Sequence, residues 1–135
     1  MNALNKYADP VYCIMRLIVG LMLASHGAQL VLGMFGPASD KPMMQIGGWI
    51  QLVGGCLLAF GLLTRLAAFI LSGEMAVAYF MFHAKQNYFP ILNKGELAVF
   101  YCWVFLFMVF YGPGRWSIDA LFCKAKDSTA AASTA

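Results

Sequence analysis

Two histidines and one glutamate, His26, His83 and Glu96, are the catalytic candidates of this chain. An imidazole changes charge near neutral pH, and a carboxylate can take or give a proton. All three fall near one end of long apolar stretches. Read as helices rising 1.5 Å per residue, those stretches put His26 about 24 Å and His83 about 25 Å from their opposite ends. Glu96 opens the last stretch at the same level. Gln51 and Tyr101 enter from that side to a similar depth, about 8 Å. Gln29 shares a helix face with His26, and Tyr79 shares one with His83.

Three chemistries fit this group. The imidazoles and the carboxylate can ligate zinc or iron, although they come from three segments without a His-Glu-x-x-His motif. They can instead hydrogen-bond the carbonyls of a quinone and pass it protons, with Gln29, Gln51, Tyr79 and Tyr101 as binding candidates and the aromatics flanking the flat ring. Or they can be interfacial caps, with Glu96 closing a capping box on Asn93 and His83 sitting among headgroups. The residues alone leave all three open.

A second polar pair lies deeper. Arg16 is about 9 Å and Glu74 about 12 Å from the other ends of their stretches. Opposite charges at matching depth predict a buried ion pair, since an unpaired charge in hydrocarbon is costly.

The elements that must position these groups follow from composition. The chain has 135 residues, 61% of them apolar and only 11% charged. Soluble domains carry about 25% charged residues. A chain this small cannot bury so much apolar surface in water. Composition therefore predicts one integral membrane domain and excludes a disordered or ordinary soluble protein. The nine basic residues are scattered, so no nucleic-acid-binding patch is present.

Four apolar stretches, about 10–32, 46–63, 66–82 and 96–111, predict four spanning helices. The expected class is an all-α membrane four-helix bundle. Asp9-Pro10 reads as a helix start, Gly61 to Arg65 as a tight hairpin with Thr64 as N-cap, and Gly112-Pro113-Gly114 as a stop. Glycines recur every seven residues at 20 and 27 and at 47, 54 and 61, which lets helices approach closely. Ser117 to Lys124 predicts a short amphipathic helix on the membrane surface. Residues 1–126 form the expected single domain, and 127–135 an expected disordered tail.

The N-terminal apolar run is too long for a signal peptide and no Ala-x-Ala site follows it, so a retained helix is expected. Five basic residues, Lys6, Arg65, Arg115, Lys124 and Lys126, stand on the side of the termini, against Lys41, Lys85 and Lys94 on the other. This bias predicts both termini in the cytoplasm. Cysteines 13, 56, 102 and 123 form no Cys-x-x-Cys pair and read as small packing residues. No P-loop, dinucleotide fingerprint, GxSxG or haem motif is present.

The ordered set Arg16-Leu-Ile-Val-Gly20, His26-Gly27, Gly47-Gly-Trp-Ile-Gln-Leu-Val-Gly-Gly55, Gly61-Leu-Leu-Thr-Arg65, Glu74-Met-Ala-Val-Ala-Tyr79 and His83 resembles the DoxX family of small bacterial and archaeal membrane proteins. Phe89-Pro90, Asn93-Lys-Gly-Glu96 and Gly112-Pro-Gly-Arg-Trp-Ser-Ile-Asp119 extend the likeness over about residues 10–122. The resemblance implies a four-helix subunit of the cytoplasmic membrane. Some members are a subunit of thiosulfate:quinone oxidoreductase, and others associate with soluble redox proteins. Other members often carry a lysine after the region matching His26-Gly27, where this chain has Gln29 and Leu30.

Three functions follow as expectations. The first is a quinone-linked redox subunit, taking electrons from a sulfur compound or a membrane or peripheral redox partner. The second is a non-catalytic accessory or assembly subunit of a respiratory or detoxification complex. The third is a small transporter, for which the sequence shows neither internal repeats nor helices broken at the midplane.

Overall fold

A computed structural model describes residues 2–122. They form α1 (Asn2–Leu32), α2 (Pro42–Phe60), α3 (Thr64–Ala78), the single turn α4 (Pro90–Asn93) and α5 (Glu96–Tyr111). Residues 79–83 continue α3 as one widened turn, in which Ala84 N–H bonds the Tyr79 carbonyl at 2.9 Å. The segments Leu4–Leu32, Pro42–Phe60 and Thr64–His83 are each long and apolar enough to cross a bilayer. α5 has 16 residues, about 24 Å. That is short of the ~30 Å hydrocarbon core, a mismatch that local thinning can absorb.

Four helices pack in chain order, each antiparallel to the one before. Phe105, Leu58, Leu71 and Met108 are fully buried where they meet. Two glycine stripes on α2, one residue apart, serve different neighbours. Gly48 and Gly55 face α1: a methyl on Gly20 would lie 2.6 Å from the Ala59 nitrogen and 2.7 Å from the Gly55 carbonyl. Gly27 is equally tight against Gly48 and Leu52. Gly47 and Gly54 instead face Glu74 and Leu71 of α3. The heptad spacing thus marks α2 as the helix in the middle, with a close-packed seam on one side.

Helix boundaries differ from the sequence reading in three places. α1 starts at Asn2 and carries Pro10 in its interior. Asp9 therefore caps nothing; its carboxylate accepts the Arg115 N–H at 3.2 Å and stands 3.5 Å from the Tyr111 hydroxyl. Thr64 is the first residue of α3 rather than its cap. The cap comes from a distant residue: Asp119 accepts the Leu63 and Thr64 N–H groups, both at 2.9 Å, and the Thr64 hydroxyl at 3.0 Å. The Asn93–Glu96 capping box does not form. The N-cap of α5 is Gly95, so Asn93 lies two residues too early, and its Oδ1 takes the Gly95 N–H at 2.8 Å. Between α2 and α3, Gly61 in the left-handed region (φ 70°) ends α2. Its N–H and that of Leu62 bond back to Leu58 and Leu57, so the hairpin needs only three residues between helices.

The connection after α5 is sewn to the same end of the bundle. Tyr12 donates to the Gly112 carbonyl at 2.6 Å, and Arg16 donates to the carbonyls of Pro113 and Trp116. Residues 118–122 are helical, with Leu121 and Phe122 exposed. The remainder of the expected 117–124 helix and the tail 127–135 lie outside the described residues.

Candidate functional site

The predicted ion pair between Arg16 and Glu74 is not formed. Among the described residues the one salt bridge joins Arg115 to Asp9, at 4.0 Å. The reason is register. Arg16 packs beside Gly61, whereas Glu74 packs beside Gly47. Those glycines are fourteen residues apart on one helix, about 21 Å. Pro10 is not the end of α1: the helix runs past it and meets α2 with Arg16 at the hairpin. Arg16, 2% exposed, finds its compensation there from two carbonyls and from the C-terminal ends of α2 and α5, where a cation is favoured.

Glu74 belongs instead to the group at the His26 end. His26 Nδ1 lies 2.9 Å from Gln51 Oε1, and Gln51 Nε2 donates to Glu74 Oε1 at 2.8 Å. One residue from each of α1, α2 and α3 thus forms a continuous polar chain. The small residue at Gly47, one turn before Gln51, makes the room: a methyl there would stand 3.2 Å from Glu74 Oε1. Gln51 is 5% exposed, and Glu74 Oε2 is buried without a partner.

His83 completes the group from the widened turn of α3. Its Nδ1 lies 3.0 Å from the Asn93 carbonyl. Tyr79 is stacked on its ring at 6.3 Å between centroids, and donates to the Tyr88 carbonyl at 2.7 Å. Asn93 is itself buried and donates to the Asn87 carbonyl at 2.6 Å. His26, Gln51, Glu74 and His83 line one groove of about 390 Å³, with Lys41 and Gln86 also on its wall.

This arrangement sets the tautomers. A carbonyl oxygen beside Nδ1 requires a proton on Nδ1. With the Gln51 amide oriented to donate to Glu74, both neutral histidines carry the proton on Nδ1 and leave Nε2 as acceptor. Once protonated, each Nε2 becomes a donor. The groove therefore offers two imidazoles, an amide and a carboxyl, with Lys41 and Gln86 on the same wall.

Glu96 is not part of it. It stands exposed at the start of α5, away from the groove. Tyr101 is likewise elsewhere, stacked on Phe105 at 5.6 Å in the core. Gln29 is half-buried beside the loop at Gly36. Tyr79 braces His83 from behind the groove rather than lining it. The metal alternative of His26, His83 and Glu96 is not assembled. Among the described residues no three His, Cys, Asp or Glu side chains stand close enough to hold an ion. Cys13, Cys56 and Cys102 are free thiols.

Glu74 was the missed member. The signal was in the hairpin: Gln51 is ten residues before Gly61, and Glu74 ten residues after Thr64. A tight antiparallel turn puts both at one height. The widened turn that carries His83 has no sequence signature.

The fold and the groove define a helical membrane protein with a polar cluster near one end of its bundle. Residues 11–84 match the DoxX family, and the chain belongs to it. His26, Gln51, Glu74 and His83 all fall inside the matched segment. An uncharacterized protein of Haemophilus influenzae is 44% identical over 133 residues, covering 92% of this chain and 99% of its own length. An uncharacterized membrane protein of Mycobacterium tuberculosis is 27% identical over 141 residues, covering 90% and 86%. No solved structure matches.

Proposed function

We propose that this chain is a quinone-linked subunit of a redox complex in the bacterial cytoplasmic membrane, with both termini in the cytoplasm. The observation that carries this reading is the chain His26–Gln51–Glu74 facing His83 across one groove. A quinone supplies a two-electron, two-proton couple. His26 and His83, when protonated, donate Nε2–H to a bound carbonyl oxygen; when neutral, they accept from a bound hydroxyl. Each therefore moves one proton at Nε2. Gln51 holds the His26 ring in place, and Glu74 draws on it through the same amide. Electrons come from a partner polypeptide, since the sequence has no dinucleotide or haem motif. A sulfur compound such as thiosulfate is a fitting ultimate donor, by the family resemblance.

Purification in mild detergent, followed by extraction and chromatography of quinone, tests this. Stoichiometric quinone, lost in His26→Ala and His83→Ala, supports it. A stable stoichiometric partner with no quinone replaces it with the accessory-subunit reading. Reporter fusions at Ala135 and in the α1–α2 loop test orientation.

A further inference from the structure

The polar groove does not end at Glu74. Along the α2–α3 crevice it runs into a second hollow of about 330 Å³, which shares Met43, Gly47 and Glu74 with it. That hollow runs into a third, also about 330 Å³, with Ile50 and Ile70 common to both. Beyond Glu74 no polar side chain lines the path. From His83 to Leu66 it follows seventeen residues of α3 and its widened turn, about 25 Å. Its far rims, Trp49, Val53, Leu66 and Ile70, are each about half exposed, so the crevice is open sideways to the bilayer.

We infer that the α2–α3 crevice seats the hydrocarbon tail of an uncharged single-chain amphiphile whose head lies among His26, Gln51, Glu74 and His83, and that the molecule enters sideways from the lipid. This rests on the quinone reading and adds the requirement for a long tail. The occupant follows from shape and charge. The hollows follow one another along the crevice, a shape that takes a single chain laid lengthwise. The head groove pairs the Glu74 carboxyl, whose second oxygen has no partner, with one opposing cation, Lys41, so its wall holds no excess of positive charge to seat a phosphate. An uncharged ring with a single chain meets both conditions. α2 and α3 leave this space because their contact is the looser side of α2; the close-packed glycine seam is on the α1 side.

The test compares two probes on purified protein in one detergent: a benzoquinone bearing a decyl chain, and the same ring bearing a methyl group in its place. Ile70→Trp fills the crevice from a half-exposed position, and Val53→Trp does so from the opposite wall. Calorimetric titration should show each variant binding the decyl compound at least tenfold more weakly than wild type, with the methyl compound unchanged. Using one detergent cancels micelle partitioning in the variant-to-wild-type ratio. Equal decyl affinity in wild type and both variants overturns the tail site while leaving the quinone reading intact. So does a change in retained phospholipid with no change in decyl binding, which assigns the crevice to an acyl chain. If wild type binds neither probe, the quinone reading and the tail site fail together.

Discussion

Gln51 and Glu74 meet at 2.8 Å across the α2–α3 hairpin, and that bond fixes where the Glu74 carboxyl is held. The amide is engaged on both sides, accepting from His26 and donating to Glu74. Gln51→Leu should therefore remove two hydrogen bonds and leave a carboxylate with neither oxygen bonded. The expected loss is about 1–3 kcal/mol of stability, read as a lower thermal midpoint in detergent. Glu74→Gln removes the charge but keeps an amide oxygen able to accept from Gln51, and should cost less. If Gln51→Leu melts like wild type, the polar chain is not formed in the membrane.

Arg16 and Glu74 should act independently. Arg16→Leu leaves the Pro113 and Trp116 carbonyls without their donor, at about 1–3 kcal/mol. Because Glu74 is about 21 Å away along α2, the double variant Arg16→Leu with Glu74→Gln should equal the sum of the singles within about 0.5 kcal/mol. A buried ion pair would instead make the second change milder once the first is made. A double-mutant cycle on thermal midpoints decides between them.

Much of this architecture was legible from residue types. The four apolar stretches, the glycine spacing and the Gly61 turn gave the helix order and the antiparallel packing. The depths of His26, His83 and Gln51 put them at one level, and all three line one groove. The failures have one physical source, which is that depth along a helix needs a zero. Pro10 supplied a false one, because α1 continues through it: the ring forfeits a hydrogen bond inside the helix, and the helix holds on both sides. That error sent Arg16 to Glu74. Glu96 was placed by level alone, without its direction, and it faces outward. The cap on α3 was not legible at all, since Asp119 is fifty-five residues away from Thr64.

Asp119 gives the bundle an acid-sensitive fastening outside the spans. Burial would raise its carboxyl, but the Thr64 and Leu63 N–H groups, the Thr64 hydroxyl and the nearby Arg16 charge outweigh that and hold it below its ordinary value of 3.8. A carboxylate with a depressed folded-state value stabilises the fold fully above the unfolded value. That contribution fades as pH falls through the folded one. The loss should therefore fall below about pH 4. Solvent screening keeps it modest, because Asp119 is only partly buried. Thermal midpoints between pH 2 and pH 6 should drop more steeply for wild type than for Asp119→Asn, which starts lower and has no carboxylate to protonate. Parallel curves would show that Asp119 does not hold the α3 cap.

The histidines separate a working site from a set of polar helix ends. In both, Nδ1 faces a carbonyl oxygen, and both residues line the groove. His26→Ala and His83→Ala should each lower bound quinone or quinone-linked activity about tenfold, matching the loss of one hydrogen bond of about 1.4 kcal/mol. Assembly of the bundle should persist, because neither ring belongs to the buried core. Glu96→Gln should retain wild-type quinone content, since Glu96 stands outside the groove. Asn93→Ala should fall between them. It removes bonds to Asn87, Gly95 and Tyr79 and loosens the backbone whose carbonyl holds His83, so stability and quinone content should drop together. Each histidine variant gives up one hydrogen bond, to Gln51 or to the Asn93 carbonyl, and should lower the thermal midpoint, measured in the absence of added quinone, less than Gln51→Leu does while quinone content falls about tenfold. Full quinone content in both would reduce the cluster to interfacial capping and leave the chain as an accessory subunit.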